Sequence, residues 1–226
     1  MSRVRGVVFD LDHTLFDRYA TLTAIAPYFC SYFDVAEDMT PERFAPIWIE
    51  ADKNFVHLGW GALLAHLTEV GVFRTPPTLE VYSAFLLGMF RRISVPFDCT
   101  RSLLVELHEM GYKTGLITNG SGETQRAKLR NLGIEDCFDQ VVITGEFGVH
   151  KPEPEPFLAI ARWLGAKPKE LLYVGDNPLN DVEASRNAGM IPVWVRTTGT
   201  WVYPDIKKPA LQIDHIRELP DLLKTL

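Results

Sequence analysis

The feature of this sequence that most constrains its fold is a repeated pattern in which a short apolar segment ends at polar residues or at glycine. Val, Ile and Leu occupy successive positions of these segments, as is typical of strands buried on both faces of a parallel sheet. Amphipathic segments that end at glycine separate most of them and predict helices. The strand-like segments are residues 4–9, 113–117, 140–144, 171–174 and 191–195, and the helix-like segments are residues 100–110, 123–132, 155–164 and 179–188. The alternation predicts an α/β fold with a Rossmann-like parallel sheet flanked by helices.

Residues 17–96 interrupt this alternation and have the periodicity of helices instead. Apolar residues recur at helical spacing around Trp48 and again around Leu64, and no strand-like segment of this region ends in a polar turn. We interpret residues 17–96 as a smaller α-helical cap domain that is inserted after the first strand. The α/β core would then comprise residues 1–16 and 97–226.

Composition and charge limit the kinds of molecule that the protein is expected to bind. The chain has 226 residues with 23 basic and 29 acidic side chains, which gives a formal net charge of −6. An acidic chain lacks the basic surface that general binding to nucleic acid requires, and no segment approaches the roughly 18 apolar residues of a membrane span. Cys30, Cys99 and Cys137 fit no zinc-binding spacing and favour free thiols in a reducing compartment. We therefore expect a cytoplasmic protein with neither a nucleic-acid nor a membrane partner.

Two carboxylates follow the first predicted strand directly. Asp10 and Asp12 are two residues apart, so their side chains project to the same side of an extended chain. At the carboxyl end of a parallel strand they would face the crevice in which α/β folds bind ligands. Like charges this close repel unless a cation or a proton intervenes, which favours a Mg²⁺ site beside a nucleophilic carboxylate. A solvated acidic turn is the alternative for this pair taken alone.

Three further strand ends carry residues suited to phosphate chemistry. Thr118 and Asn119 follow the second predicted strand and precede a helix, where a hydroxyl and free backbone N–H groups suit a phosphate. Lys151 precedes three alternating prolines that stiffen the chain, and its ammonium could neutralise phosphate oxygens or a carboxylate. Asp176 and Asp181 lie after the fourth predicted strand and could complete an oxygen-rich Mg²⁺ site.

These four strand-end segments, in this order along the chain, resemble the motifs of the haloacid dehalogenase superfamily of phosphohydrolases. The position and size of segment 17–96 also resemble the branch of that family with a helical cap after the first motif. The residues that carry the resemblance are, in motif order, Asp10, Asp12 and Thr14; Thr118 and Asn119; Lys151; and Gly175, Asp176 and Asp181.

The resemblance implies roles for the residues that match each motif. Asp10 would attack phosphorus and form an aspartyl-phosphate, and Asp12 would protonate the leaving oxygen and then deprotonate the hydrolytic water. Thr118 and the backbone around Asn119 would bind the substrate's phosphoryl group. Lys151 would contact both Asp10 and the phosphate.

The resemblance also implies a Mg²⁺ cofactor. The metal ligands would be Asp10, the carbonyl oxygen of Asp12, and Asp176, with Asp181 as an outer or auxiliary acid. Phosphoryl transfer spreads negative charge over oxygens that Mg²⁺, a lysine and N–H donors can stabilise, so the implied roles agree with the residue types. The predicted function is Mg²⁺-dependent hydrolysis of a small phosphate monoester, and the predicted partner is a small phosphorylated metabolite.

Other activities stay open at this point. A dehalogenase of the same family is disfavoured because it would not need the acid/base Asp12, and a phosphonate hydrolase would need a cap lysine, of which Lys53 is the only one. A phosphomutase would share the core motifs. A non-catalytic regulatory protein would be expected to lack one of the motif residues, and a nucleotide-binding Rossmann module would need a glycine-rich loop after the first strand. Sugar phosphates, nucleoside monophosphates and phosphoglycolate-like acids all fit as substrates.

Overall fold

A computed structural model describes residues 4–197, 201 and 203–226 of the chain. The chain divides into two compact units. The core unit consists of Met1–Asp17 and Pro96–Leu226, and the helical unit consists of Arg18–Val95.

The helical unit has its own apolar core. Its helices are α1 (Arg18–Tyr32), α2 (Pro41–Phe55), α3 (Trp60–Glu69) and α4 (Leu79–Phe90), with a 3₁₀ turn at Val56–Leu58. Phe29 and Phe44 stack with ring centroids 4.2 Å apart, and Trp48 packs against both rings. A buried ion pair between Arg18 and Asp52, with two hydrogen bonds of 2.9 Å, joins α1 to α2 within this unit.

The core unit contains one parallel sheet. Its six strands have the order β3-β2-β1-β4-β5-β6, and every neighbouring pair is parallel. This confirms the predicted α/β class. The strands are β1 (Gly6–Phe9), β2 (Lys113–Thr118), β3 (Gln140–Ile143), β4 (Leu171–Gly175), β5 (Ile191–Val195) and β6 (Leu211–Ile213).

The edge strand β6 was not predicted from the sequence. It has three residues and pairs with β5 alone among the described strands, so it lacks the continuous apolar run of a strand buried between neighbours.

Helices cover both faces of the sheet. Val7 and Phe9 of β1 pack into one apolar cluster with Leu104, whereas Val8 points to the opposite face and packs with Ile160. This alternation follows from the two-residue period of a strand. The helices of the core unit are α5 (Thr100–Glu109), α6 (Gly122–Leu132), α7 (Thr144–Phe147), α8 (Glu155–Trp163), α9 (Ala184–Asn187) and α10 (Leu219–Leu223), with 3₁₀ turns at Pro168–Glu170 and Ile216–Glu218. Among the described helices, none combines the length and apolar character needed to cross a membrane.

The segment after β4 differs from the regular helix predicted over residues 179–188. Pro178–Glu183 forms a π-helical turn, and α9 begins after it. The carbonyl of Asn177 accepts hydrogen bonds from the backbone N–H groups of both Asp181 (3.0 Å) and Val182 (3.2 Å), which widens the turn. The Asn177 side chain accepts from the first N–H groups of the turn, so the residue also caps it.

Candidate active site at the carboxyl ends of the strands

The strand order brings together chain segments that are far apart in sequence. β1 lies between β2 and β4, and all three strands run in the same direction. Their carboxyl ends therefore lie at one edge of the sheet, with Asp10 after β1, Thr118 at the end of β2 and Asp176 after β4. Lys151 reaches this edge from the loop between α7 and α8.

A buried lysine joins two of the predicted acids. The Nζ atom of Lys151 lies 2.7 Å from Oδ1 of Asp10, 2.7 Å from Oδ1 of Asp181 and 3.0 Å from the hydroxyl of Tyr173. An ammonium has three N–H donors, so these contacts use all of them and fix the side chain. Oδ2 of Asp10 accepts from the hydroxyl of Thr14 at 3.2 Å. The side chain of Asp10 is therefore held from both oxygens.

Burial and charge shift the pKa values of this group. Burial raises the pKa of Asp10 from 3.8 to about 7, against the opposing effect of Lys151, and Asp181 adds to the increase. Burial also raises the pKa of Asp176 well above its ordinary range, with contributions from Asp181 and Asp10. Burial alone would lower the pKa of Lys151, but Asp10 and Asp181 outweigh it and raise that pKa well above its ordinary value. Lys151 therefore carries a positive charge, and the acidic groups around it outnumber this one ammonium.

The donor set suits a hard divalent cation. Carboxylate oxygens of Asp10, Asp176 and Asp181 all lie within 4.8 Å of one another. Three acids face one ammonium. A divalent cation would offset both the cost of burying the Asp10 and Asp176 carboxylates and the repulsion among the acids, which together raise their pKa values. Mg²⁺ prefers such oxygen ligands.

Asp181 and Asp12 differ in their relation to the predicted metal set. Oδ1 of Asp181 accepts from Lys151, and Oδ2 accepts from the backbone N–H of Asn177 at 2.9 Å, so both oxygens have donors within the protein, as both oxygens of Asp10 do. The auxiliary place that the resemblance implies for Asp181 stays a prediction. The Asp12 carboxylate is not part of the group of three acids found among the described residues, which leaves its carbonyl as the predicted ligand atom.

The Asp12 carboxylate is held by side chains of α6. Its Oδ1 lies 2.6 Å from Nζ of Lys128, and its Oδ2 accepts from Nε2 of Gln125 at 2.9 Å. The same Gln125 amide donates to the hydroxyl of Thr118, which is fully buried. The predicted acid/base and the predicted phosphate-binding hydroxyl are thus linked through one amide.

The side chain of Asn119 contacts the loop that carries Lys151. Its Nδ2 donates to the carbonyl of Lys151 at 3.1 Å, and its Oδ1 accepts from the backbone N–H of Lys151 at 3.0 Å. This reciprocal pair positions the lysine. A contact between Asn119 and substrate would therefore come from its backbone, as the resemblance implies.

Gly175 allows Asp181 to approach the end of β4. A Cβ atom at position 175 would lie 2.5 Å from Cβ of Asp181, closer than real Cβ contacts allow. The wide turn at Pro178–Glu183 carries Asp181 into this space, where it is 1% exposed. On the same strand end, the carbonyl of Asp176 accepts from Nε1 of Trp194 at 2.9 Å.

Sequence reasoning missed Tyr173, Gln125 and Lys128. Tyr173 lies inside a strand whose apolar pattern conceals a hydroxyl that contacts Lys151. Gln125 and Lys128 share the buried face of α6 with Leu129 and Leu132. Their signal was the placement of two polar residues at helical spacing on the apolar face of an amphipathic helix.

Comparison with known families identifies the class of protein. The family model of haloacid dehalogenase-like hydrolases matches residues 7–195. This match covers most of the chain, so the protein belongs to the haloacid dehalogenase-like hydrolase family. The family predicted from the motifs is therefore confirmed.

Curated relatives of this chain include phosphatases. The glyceraldehyde 3-phosphate phosphatase of Pyrococcus furiosus is 35% identical over 239 residues, which cover 100% of this chain and 94% of that protein. The enzyme of the same name from Methanopyrus kandleri is 39% identical over 137 residues, and the chain spans 58% of its length. Human N-acylneuraminate-9-phosphatase is 28% identical over 245 residues, with 100% of this chain and 96% of that protein covered. The prediction of a phosphatase of this family is confirmed by these relatives.

Solved structures share the fold. A phosphatase of this family from Thermococcus onnurineus has a TM-score of 0.66 and 23% identity, with 97% of this chain and 98% of that chain covered. The family hydrolase YfnB of Bacillus subtilis has a TM-score of 0.73 and 22% identity, with 98% and 99% covered. At these identities the likeness concerns the fold alone.

Proposed function

We propose that this protein hydrolyses a small phosphate monoester in a Mg²⁺-dependent reaction, through an aspartyl-phosphate on Asp10. The observation that carries the proposal is the buried Asp10 carboxylate, held by Lys151 among further acids at the strand ends. The phosphatases to which the chain is similar support the same reaction class.

In the first step, a carboxylate oxygen of Asp10 forms a bond to phosphorus while the bond from phosphorus to the ester oxygen breaks. Asp12 gives its proton to that leaving oxygen. Lys151 and Thr14 orient Asp10 through its two oxygens, so little reorganisation is needed at the moment of attack. When bound, Mg²⁺ would supply positive charge that lowers the repulsion between the phosphate and the carboxylate.

In the second step, Asp12 accepts a proton from water while the water oxygen attacks phosphorus and releases Asp10. The hydroxyl of Thr118 and backbone N–H groups around Asn119 would hold the phosphoryl oxygens during both steps. Asp176 and the Asp12 carbonyl would complete the metal site with Asp10. Asp181 would help to position this site through its hydrogen bonds with Lys151 and with the backbone N–H of Asn177.

We assign the helical unit the role of the cap that selects the ester. The names of the two kinds of phosphatase relative indicate small phosphorylated metabolites as their substrates. This supports the same class of substrate for the present protein. A phosphonate hydrolase is not favoured, because the side chain of Lys53 is 39% exposed and lies 3.6 Å from Glu50, whereas imine chemistry needs a desolvated lysine. A cytoplasmic location stays part of the proposal.

A panel of phosphate esters tests the proposal. The purified protein with Mg²⁺ is assayed for released phosphate with glyceraldehyde 3-phosphate, N-acylneuraminate 9-phosphate, nucleoside monophosphates, phosphoglycolate and p-nitrophenyl phosphate. We expect turnover of at least one metabolite, its loss in EDTA and its recovery on addition of Mg²⁺. A protein that leaves every ester untouched would not be a phosphatase, and full turnover after exhaustive dialysis against EDTA would contradict the metal site.

A further inference from the structure

We propose that Lys128 and Gln125 are positioning residues that orient the acid/base Asp12 in both steps. The inference rests on the proposed function and adds residues that lie outside the four motifs. Both side chains come from the buried face of α6, and both contact the Asp12 carboxylate.

The contacts fix the Asp12 carboxylate at both oxygens. Lys128 approaches Oδ1 at 2.6 Å and Gln125 approaches Oδ2 at 2.9 Å, so rotation of the carboxylate would break at least one contact. Nζ of Lys128 also lies 5.6 Å from the centre of the Phe16 ring, and its side chain is 7% exposed. The side chain of Lys128 is therefore almost fully buried and lies near an aromatic ring.

The second contact of Gln125 extends this arrangement to the phosphate-binding residues. Its Nε2 group donates to Oγ1 of Thr118 as well as to Asp12. One amide therefore sets the position of the acid/base relative to the hydroxyl that would hold the phosphoryl group. Proton transfer to a leaving oxygen depends on this relative position, because a displacement of about 1 Å can cost roughly 100-fold in rate.

Stability alone does not call for a lysine at this place. The side chain of Lys128 is 7% exposed and that of Asp12 is 28% exposed, so the desolvation cost of this partly buried pair falls mainly on the lysine. An apolar side chain of similar volume is often equally stable. Leu129 and Leu132 fill the same face of α6 without such a cost. By contrast, the pair between Arg126 and Glu146 on the same helix lies at the surface, where it needs no special role.

The test separates orientation of Asp12 from a general loss of structure. Lys128→Met, Lys128→Arg and Gln125→Met are compared with the wild type and with Arg126→Met, a matched loss of a basic side chain from α6. Each is assayed with an alkyl phosphate, whose leaving group needs a proton, and with p-nitrophenyl phosphate, whose leaving group needs little. Rapid mixing measures the initial release of p-nitrophenol apart from the later release of phosphate.

We expect Lys128→Met to lower kcat for the alkyl ester and the later phosphate release by about 10- to 100-fold, because both need a well-placed Asp12. The initial release of p-nitrophenol and the KM values should stay within about threefold, since neither depends on proton transfer. Lys128→Arg should recover most of kcat because it keeps a cationic donor. Arg126→Met should resemble the wild type.

Thermal unfolding and circular dichroism establish that each variant is folded. If Lys128→Met does not fold, the same comparison of the two esters is made with Gln125→Met. Equal losses for both esters, with the initial p-nitrophenol release included, would overturn the positioning role while leaving the phosphatase activity intact. A Lys128→Met variant as active as Arg126→Met would also overturn it. An inactive wild type would overturn the proposed function and this inference with it.

Discussion

At the scale of single residues, the surroundings decide what an aspartate can do. Asp136 is exposed and bonded to Arg101 and to its own backbone, and these contacts lower its pKa to about 2. The buried Asp10 has its pKa raised to about 7. The same side chain is thus a permanent anion in one place and, in the other, an acid that needs a cation in addition to Lys151 to be fully ionised at neutral pH.

The raised pKa of Asp10 predicts how the metal-free protein responds to pH. The folded protein binds the Asp10 proton more tightly than the unfolded chain, so the bound proton stabilises the folded state. That contribution to the free energy of unfolding is complete below pH 3.8 and is lost as pH rises through about 7. We expect Asp10→Asn to increase the free energy of unfolding in EDTA, relative to the wild type, more at pH 8 than at pH 5. Urea unfolding at the two pH values measures the difference.

The control for this prediction is Asp136→Asn. Both pH values lie well above the lowered pKa of Asp136, so its effect on stability should be the same at each. A difference between Asp10→Asn and the wild type that does not change with pH would contradict the raised pKa.

Asp10 and Asp12 should fail in different ways. Asp10→Asn removes the nucleophile, so no phosphoenzyme can form and turnover should vanish. Asp12→Asn keeps the nucleophile and the backbone carbonyl, and it loses the help of the acid/base, which is typically worth about 10²–10⁴-fold. Rapid quenching of Asp12→Asn with hydroxylamine or borohydride should reveal modification at Asp10. Equal residual rates for the two variants, with modification elsewhere, would refute the assignment.

At the scale of elements, the end of β4 and the turn after it together position Asp181. Gly175 leaves space at the end of the strand, and the wide turn over Pro178–Glu183 fills that space with Asp181. A regular helix would direct its side chains differently, because the π-helical turn contains one more residue. The position of Asp181 beside Lys151 therefore depends on both elements together.

Substitution of Gly175 should displace Asp181 from the end of β4. Gly175→Ala would place a Cβ atom 2.5 Å from Asp181, and we expect a loss of about 1–3 kcal/mol in the free energy of unfolding together with weaker activation by Mg²⁺. Urea unfolding and a Mg²⁺ titration of activity measure the two effects.

The matched control is Gly88→Ala. Gly88 lies inside α4 with nothing within 4 Å of an added Cβ, so this change should stabilise the protein by about 0.4–1 kcal/mol. If both substitutions shift stability in the same direction, the close approach at Gly175 does not constrain the fold.

At the scale of the whole molecule, the chain combines two units with separate apolar cores. The clusters of the α/β core lie on the two faces of the sheet, and the helical unit buries Phe29, Phe44 and Trp48 among its own helices. Within the core unit, Phe16 and Pro96 form an isolated antiparallel bridge. The two chain ends of the core unit that flank the insertion are therefore adjacent.

This adjacency makes the proposed cap removable. Replacement of residues 18–95 by a short Gly-Ser linker should leave a folded core that still hydrolyses p-nitrophenyl phosphate, while the differences in kcat/KM among the metabolite esters become smaller. The physical reason is that a cap excludes water and contacts the part of the ester that does not react. Circular dichroism serves as the control for folding. Unchanged relative rates across the panel would assign selectivity to the loops of the core.

The sequence by itself determined the class of fold and the family. A two-sided apolar run specifies a buried strand wherever it occurs, and a carboxylate directly after it must lie at the strand end, because both are local properties of the chain. Asp10, Thr118 and Asp176 were therefore predictable as strand-end residues without coordinates, and their catalytic and binding roles stay predictions. Helical periodicity over residues 17–96 is also a local signal, and the inserted cap domain inferred from it stays a prediction.

The tertiary structure decided which of these residues meet. The order of the strands sets β1 between β2 and β4, and only then do Lys151, Asp10 and Asp181 share hydrogen bonds across the sheet edge. Lys128 and Asp12 are 116 positions apart, so no local pattern pairs them. Such contacts depend on how crossover helices pack against the sheet, and the free energy of that packing belongs to the whole core rather than to any one segment.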